Sequence, residues 1–145
     1  MTAAVLNTPI VHPGILAGLA SAGHKSTILV TDGYFAASTT TGPNAERVYL
    51  NLEAGSPTVT RVIELIARMV PIEQCTGMRA PAGRTNEVQL EVQRLLGDGV
   101  PSENLERDDF YALARSVDLA LCIVTGDTRR FANVILTVGP GTAPS

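Results

Sequence analysis

Short apolar runs alternate with amphipathic stretches along most of the chain. The clearest runs are Ile28 to Val30, which is typical of a strand buried on both faces, and residues 118–125, which give the next strongest strand signal. Between the runs, apolar residues recur at three- and four-residue spacing, which predicts helices. The predicted helices cover residues 13–22, 57–69, 85–96 and 109–116, and the remaining predicted strands cover residues 48–52, 72–76, 104–107 and 134–138.

Polar residues that can cap a helix precede most of the amphipathic stretches. Ser56, then Thr85 or Asn86, and then Asp108 stand where a side-chain oxygen can accept a hydrogen bond from the first helical turn. His12 lies in the irregular lead-in to the first helix, and we interpret it as a surface or capping residue. These positions set the expected beginnings of the helices.

The alternation of strands and helices predicts the α/β class. We expect a three-layer single domain with a central, mainly parallel sheet flanked by helices, formed by residues 1–145. Apolar residues make up 45% of the chain, which is enough for a substantial core. Residues 139–145 are rich in proline and glycine, and we expect them to form a loose tail.

Composition and charge exclude several classes of function. The net charge of −3 argues against a nucleic-acid surface, and no apolar run approaches the roughly 18 residues of a membrane span. The N-terminus has no basic region of the secretory type, so we expect a cytoplasmic protein. Cys75 and Cys122 lie in predicted strands and are interpreted as reduced, buried thiols, although sequence leaves pairing open. No metal, nucleotide or other cofactor motif is present, and we expect no cofactor.

A histidine and a carboxylate flank the first predicted strand. His24 precedes Ile28 to Val30, and Asp32 follows it, and both side chains suit proton transfer. At about 3.3 Å per residue, eight positions hold them too far apart to touch in a straight strand. They therefore lie at two ends of one wide pocket, or adjacent segments fold back. The structural alternative is that His24 interacts with a helix C-terminus and Asp32-Gly33 forms a turn.

Two arginines in a later loop leave a similar choice. Arg79 and Arg84 lie among proline and glycine residues at 77–84. They could hold an anion, or they could belong to an ordinary solvated loop. The structural interpretation of Arg107 is a surface salt bridge. The structural interpretation of Asn133 is a turn residue at the start of the last strand.

Considered together, three marks along the chain resemble the family of ribose pyranases and fucose mutarotases. Each mark is weak alone, but their order and spacing cover nearly the whole sequence. The second mark resembles the fucose-type branch. The marks are Gly23-His24 with Asp32; Arg107 with Phe110 and Tyr111; and Thr125-Gly126-Asp127 followed by Phe131-Ala132-Asn133 and an apolar strand.

The resemblance implies a monosaccharide mutarotase that interconverts the anomers of a fucose- or ribose-like aldose without a cofactor or metal. It implies that His24 is the proton donor. The sugar-binding residues that it implies are Asp32, Arg107, Phe131 and Asn133. Members of the family form stacked rings, so the resemblance also implies a homo-oligomer, a decamer, whose pockets are completed by a neighbouring subunit.

Two departures from the family pattern bear on activity. Phe131 stands where the family usually has tyrosine, so a phenolic hydroxyl is lost. The segment from Gly33 to Ala36 is also unusual, and Tyr34 within it could replace that hydroxyl. Tyr111 is expected to pack in its helix. The alternatives are therefore a non-catalytic or repurposed monosaccharide-binding member of the same fold, or an isomerase or lyase for another small polyol or keto compound.

Overall fold

The computed structural model describes residues 5–141. This part of the chain contains four helices and six strands, and they confirm the alternation expected from the sequence. None of these helices is long and apolar enough to cross a membrane. In chain order the elements are α1 (Pro13–Ser21), β1 (Thr27–Thr31), β2 (Glu46–Tyr49), α2 (Val59–Ala67), β3 (Ile72–Met78), α3 (Glu87–Leu96), β4 (Ser102–Leu105), α4 (Arg107–Ala114), β5 (Leu119–Val124) and β6 (Val134–Val138).

The six strands form one sheet in the order β2-β5-β1-β6-β3-β4. β6 runs antiparallel to both of its neighbours, β1 and β3, whereas every other adjacent pair is parallel. The expectation of a mainly parallel α/β sheet is therefore confirmed. The antiparallel strand lies inside the sheet, so its first residue is at the edge where β1 ends.

Apolar side chains of β1 alternate between two cores, one on each face of the sheet. Ile28 and Val30 pack with the helices α1, α2 and α3. Leu29 faces the opposite way and packs with Phe110 and Ala114 of α4. Both faces of the sheet are thus covered, which explains the unbroken apolar run and confirms the three-layer arrangement.

Two helices begin at other residues than the capping pattern predicted. α2 is capped by Thr58, whose hydroxyl accepts from the N–H of Arg61 at 3.1 Å, and not by Ser56. The carbonyls of Ser56 and Pro57 accept hydrogen bonds from Glu53 and Gly126, so these residues belong to a turn that precedes the helix.

α4 begins at Arg107, two positions earlier than expected, and Asp108 does not cap it. Asp108 lies in the first turn, where a carboxylate interacts favourably with the helix dipole. The other capping predictions are correct. Asn86 caps α3, and His12 caps α1 through Nδ1, which accepts from Gly14 and Ile15.

The cysteines are free and buried in the two cores, as the sequence indicated. Burial raises the pKa of Cys75 to about 11 and that of Cys122 to about 12, so both thiols stay protonated near neutral pH. At the other end, Gly139 is buried and donates its N–H to the carbonyl of Pro71 at 2.8 Å. The expected loose tail therefore starts no earlier than residue 140, and residues 142–145 lie outside the described residues.

Candidate functional site

The end of β1 and the start of β6 meet at one edge of the sheet. Val30 pairs with Val134 across these antiparallel strands, which brings Asp32 close to Asn133. The backbone N–H of Asp32 donates to Oδ1 of Asn133 at 3.0 Å, and both residues are buried. Two polar groups far apart in sequence are thereby fixed at the carboxyl edge, where α/β sheets commonly bind ligands.

A cavity of about 240 Å³ opens beside this pair. Four of the five predicted site residues line it: Asp32, Arg107, Phe131 and Asn133. They come from the ends of β1 and β6 and from the first turn of α4. The remaining lining residues are Tyr34, Phe35, Ala36, Met78, Tyr111 and Arg130.

Asp32 is a nearly buried carboxyl group, with 3% of its surface exposed. Burial raises the pKa of Asp32 above its ordinary value, and the nearby carboxylate of Asp127 acts in the same direction. The N–H of Tyr34 donates to Oδ1 of Asp32 at 2.9 Å and opposes this shift. The predicted turn at Asp32 is thus present, and the same side chain also faces the cavity.

Phe131 and Asn133 form the wall supplied by the β5–β6 connection. Phe131 has a positive φ of 60°, which is uncommon for a residue other than glycine. The side-chain nitrogen of Asn86 holds this backbone by donating to the Phe131 carbonyl at 2.7 Å. Within residues 5–141, the side-chain nitrogen of Asn133 makes no hydrogen bond, so it is free to donate to a ligand hydroxyl.

Two arginines and two tyrosines surround the mouth of the cavity. Within the part of the chain described, neither Arg107 nor Arg130 has a carboxylate within 4 Å. Tyr34 is 61% exposed, and the Arg130 guanidinium lies 5.4 Å from its ring centre. Tyr111 packs edge-on against Phe35, as expected of a packing residue, but it also lines the cavity.

The Thr125-Gly126-Asp127 segment anchors the wall. Asp127 is 2% exposed and accepts hydrogen bonds from the side chain and backbone of Arg129 and from the backbone of Val59. Burial acts to raise the pKa of Asp127, but these hydrogen bonds outweigh it and hold the pKa below its usual range. Arg129 also pairs with Glu91 of α3 at 2.7 Å, so the segment is tied to two helices.

His24 is the one predicted site residue that lies elsewhere. It precedes β1, at the opposite edge of the sheet from Asp32, so one chain does not bring the two together. Its Nε2 lies 2.9 Å from Oε1 of Glu73, and the Lys25 ammonium lies 2.9 Å from Oε2. Contact with Lys25 is the main reason that the pKa of Glu73 is lowered.

The suggested contact between His24 and a helix C-terminus is not observed. α1 ends at Ser21 with Ala22 as its C-cap, and the imidazole instead faces Glu73. Sequence reasoning missed Glu73 because it lies 48 positions from Lys25, and only the order of strands brings them together. It also missed Arg130 and Met78, which carry no distinctive local pattern.

The sequence matches a known protein family. A sequence model of the RbsD / FucU transport protein family matches residues 6–140. A D-ribose pyranase from Exiguobacterium sibiricum is 30% identical over 121 residues, which cover 83% of this chain and 87% of that protein. A D-ribose pyranase from Bacillus cereus strain B4264 is 28% identical over 130 residues, which cover 90% of this chain and 94% of that protein.

Solved structures share the same fold. RbsD of Bacillus subtilis, complexed with D-ribose, gives a TM-score of 0.78 at 22% identity and covers 90% of this chain and 94% of its own. The fucose mutarotase of Streptococcus pneumoniae, in complex with L-fucose, gives a TM-score of 0.79 at 18% identity, with coverages of 95% and 100%. FucU of Bifidobacterium longum gives 0.74 at 24% identity, with coverages of 91% and 96%.

Proposed function

Because the chain belongs to the RbsD / FucU transport protein family, we propose that it is a mutarotase that interconverts the anomers of a monosaccharide. The observation that carries this proposal is that Asp32, Arg107, Phe131 and Asn133 line one and the same cavity. D-ribose pyranases and a fucose mutarotase are among the proteins it resembles, so ribose- and fucose-like aldoses are the first candidates. We propose that the reaction takes place in the cytoplasm.

The reaction opens and recloses a hemiacetal. One group removes the proton of the anomeric hydroxyl while another protonates the ring oxygen, and ring closure on the other face of the carbonyl reverses both transfers. Asp32 suits the first group or a strong hydroxyl acceptor, because burial raises its pKa and makes its carboxylate more basic. Arg107 and Asn133 supply N–H donors that hold the sugar hydroxyls. The steps need no metal or cofactor.

His24 supplies the proton in this proposal, and it does so in the pocket of a neighbouring copy. Its side chain is 47% exposed and so is accessible to a second subunit. The separation of His24 from Asp32 along β1 supports a site shared between chains. The assembly proposed on this basis is a homo-oligomer, a decamer, in which each pocket receives one histidine from a neighbour.

The second candidate is a sugar-binding protein of the same fold without fast catalysis. The observation that favours it is Phe131, whose side chain lines the cavity where the family resemblance places a tyrosine hydroxyl. Without that hydroxyl, a hydrogen bond or proton relay is missing. Binding would then persist while exchange of anomers proceeds at the uncatalysed rate.

Anomer-exchange NMR distinguishes the two candidates. Ribose, fucose and galactose are equilibrated with the protein, and magnetisation transfer between anomers is compared with that in buffer alone. We expect acceleration on at least one sugar, reduced roughly 10²-fold or more by Asp32→Asn. Binding of a sugar by calorimetry, with no acceleration on any of the three, would favour the binding protein.

A further inference from the structure

A second depression adjoins the proposed sugar pocket. It encloses about 340 Å³ and shares two wall residues, Arg130 and Phe131, with that pocket. Arg84, Arg129, Thr85 and Glu87 complete its lining. The two spaces therefore meet at the β5–β6 connection, and a ligand can occupy both. A neutral monosaccharide ring needs only the first.

The arginines of the depression differ in their partners. Arg129 is committed, because its guanidinium binds Asp127 and Glu91. Arg84 and Arg130 have no carboxylate within 4 Å in residues 5–141. Arg79, the other arginine of the same loop, pairs with Glu106 at 3.1 Å. Arg84 and Arg130 are thus the arginines of this depression that have no carboxylate partner, and Arg130 also lines the sugar pocket.

Aromatic rings hold these two guanidinium groups. Arg84 lies over Phe131, with its Cζ 5.8 Å from the ring centre, and Arg130 lies over Tyr34 at 5.4 Å. Stacking on a ring leaves the N–H groups at the guanidinium edge available, in the planar arrangement that matches a phosphate or carboxylate. Both rings also line the sugar pocket, so the charges are placed beside the proposed ring site.

The surrounding charge is mixed but favours an anion near Arg84. The depression lies at the start of α3, where the helix dipole adds partial positive charge. Glu87 opposes it, since its carboxylate belongs to the same lining. The whole chain has a net charge of −3, so two unpaired arginines at one opening run against the overall balance.

We propose that the preferred substrate is a monosaccharide bearing an anionic substituent, a phosphate or a carboxylate. Its ring lies beside Asp32, and its anion lies in the second depression between Arg84 and Arg130. This inference rests on the proposed function for the position of the ring. It adds the class of sugar and the residues that select it.

Three sugars with the same ring test the proposal: galactose, galacturonate and galactose 6-phosphate. Their affinities are measured by titration calorimetry at low and at moderate ionic strength. We expect at least one anionic sugar to bind about fivefold or more tightly than galactose, with the advantage reduced by salt. Preference for galacturonate alone identifies a carboxylate, and preference for galactose 6-phosphate alone identifies a phosphate. Equal or weaker binding of both anions overturns the proposal.

Variants assign the preference to the depression. Arg84→Ala should lower the ratio of anion affinity to galactose affinity about two- to fivefold. Glu87→Gln should raise that ratio, because it removes the opposing carboxylate. Arg94→Ala is the matched control, since this exposed arginine lies in the last turn of the same helix and should leave the ratio unchanged. An unchanged ratio in Arg84→Ala would refute the assigned position of the anion.

The same series separates this inference from the proposed function. Exchange of neutral sugars without preference for the anions would support the mutarotase proposal and refute the anionic substrate. Salt-dependent binding of an anion that depends on Arg84, without exchange of any sugar, would support the anion site and refute the mutarotase proposal.

Discussion

The backbone N–H of Asp32 donates to Oδ1 of Asn133 across 3.0 Å, although 101 positions separate them in the chain. Both residues are buried, so loss of the acceptor leaves a buried N–H without a partner. We expect Asn133→Ala to lower the free energy of unfolding by about 1–3 kcal/mol. Urea unfolding followed by circular dichroism measures this change.

A control for Asn133→Ala is Asn44→Ala. Asn44 is exposed and donates a single side-chain hydrogen bond to the carbonyl of Val117. Its replacement should cost clearly less, since water can satisfy both exposed groups. Equal losses in the two variants would show that the Asp32–Asn133 contact has no special role in joining β1 to β6.

Asp32→Asn is expected to stabilise the fold at neutral pH while it impairs sugar binding. Burial raises the pKa of Asp32, so the folded state disfavours its carboxylate, and stability is lost as the pH rises from 3.8 through the folded pKa. Asparagine removes this penalty and keeps an oxygen for the N–H of Tyr34. The thermal midpoint of the variant should exceed that of the wild type at pH 7, with a difference that shrinks towards pH 3.8. A lower midpoint at pH 7 would contradict the raised pKa.

Asp127→Asn should behave in the opposite way. The pKa of Asp127 is lowered, so its contribution to stability is present above pH 3.8 and is lost as the pH falls through the folded pKa. Replacement weakens charged hydrogen bonds with Arg129, and we expect a loss of about 1.5–3 kcal/mol at pH 7. Unfolding in urea across a pH series measures it. A loss that persists undiminished in acid would point to packing and not to charge.

Sequence reasoning succeeded where the pattern is local and repeated. Buried strands such as β5 and β6 are visible as apolar runs, and the helices follow from apolar spacing, so the class of fold could be predicted. The first and last residues of the helices were harder to predict. At Ser56 the capping prediction failed because the carbonyl of the neighbouring Pro57 accepts a hydrogen bond from Gly126, a residue of a distant segment. Local preference could not reveal that contact.

The candidate site was only partly accessible from the sequence, for a related reason. Asp32, Arg107, Phe131 and Asn133 were named from motifs, and the fold brings all four to one cavity. The contact of His24 with Glu73 depends on the order of strands in the sheet, which no periodicity encodes. The family resemblance identified these residues but not where they lie in space. The order and direction of the strands determine that.

His24→Ala is expected to abolish anomer exchange and leave the fold intact, because the side chain is half exposed and outside both cores. If the pocket is shared, co-assembly of His24→Ala with Asp32→Asn should restore activity, since some pockets then combine an intact Asp32 with an intact histidine. Random mixing in equal amounts predicts about a quarter of the wild-type rate. Exchange NMR on the co-expressed complex measures it.

Two results would count against the shared pocket. Unchanged exchange in His24→Ala removes the histidine from catalysis. A monomeric mass by sedimentation at micromolar concentration removes the assembly on which the mixing experiment depends. Absence of restoration in a confirmed mixed oligomer would place the proton donor within the same chain as Asp32.

Phe131→Tyr tests the departure from the family pattern. The two side chains share a shape, so the change adds one oxygen to a wall of the proposed sugar pocket. A hydroxyl directed at the sugar contributes about 0.5–1.5 kcal/mol, which corresponds to a gain of roughly two- to tenfold in kcat/KM. Exchange on fucose, ribose and galactose is measured beside the wild type.

The contrary result for Phe131→Tyr is equally specific. If the wall is shaped for a less polar group, the added hydroxyl finds no partner and costs about 1–3 kcal/mol. A loss of exchange on all three sugars, together with weaker sugar binding, would favour the repurposed binding protein over the mutarotase.

The reversed direction of β6 places one wall of the cavity on a single short connection. Because β6 starts at the edge where β5 ends, residues 125–133 return without crossing a face of the sheet. Asp127 and Arg129 fasten this stretch to α2 and α3, whereas Arg130 and Phe131 line the cavity. Asn133 does both, because its Oδ1 accepts from the N–H of Asp32 and its side chain lines the cavity. Substitutions at Arg130 and Phe131 are therefore expected to reshape the cavity while the strands on either side stay unchanged.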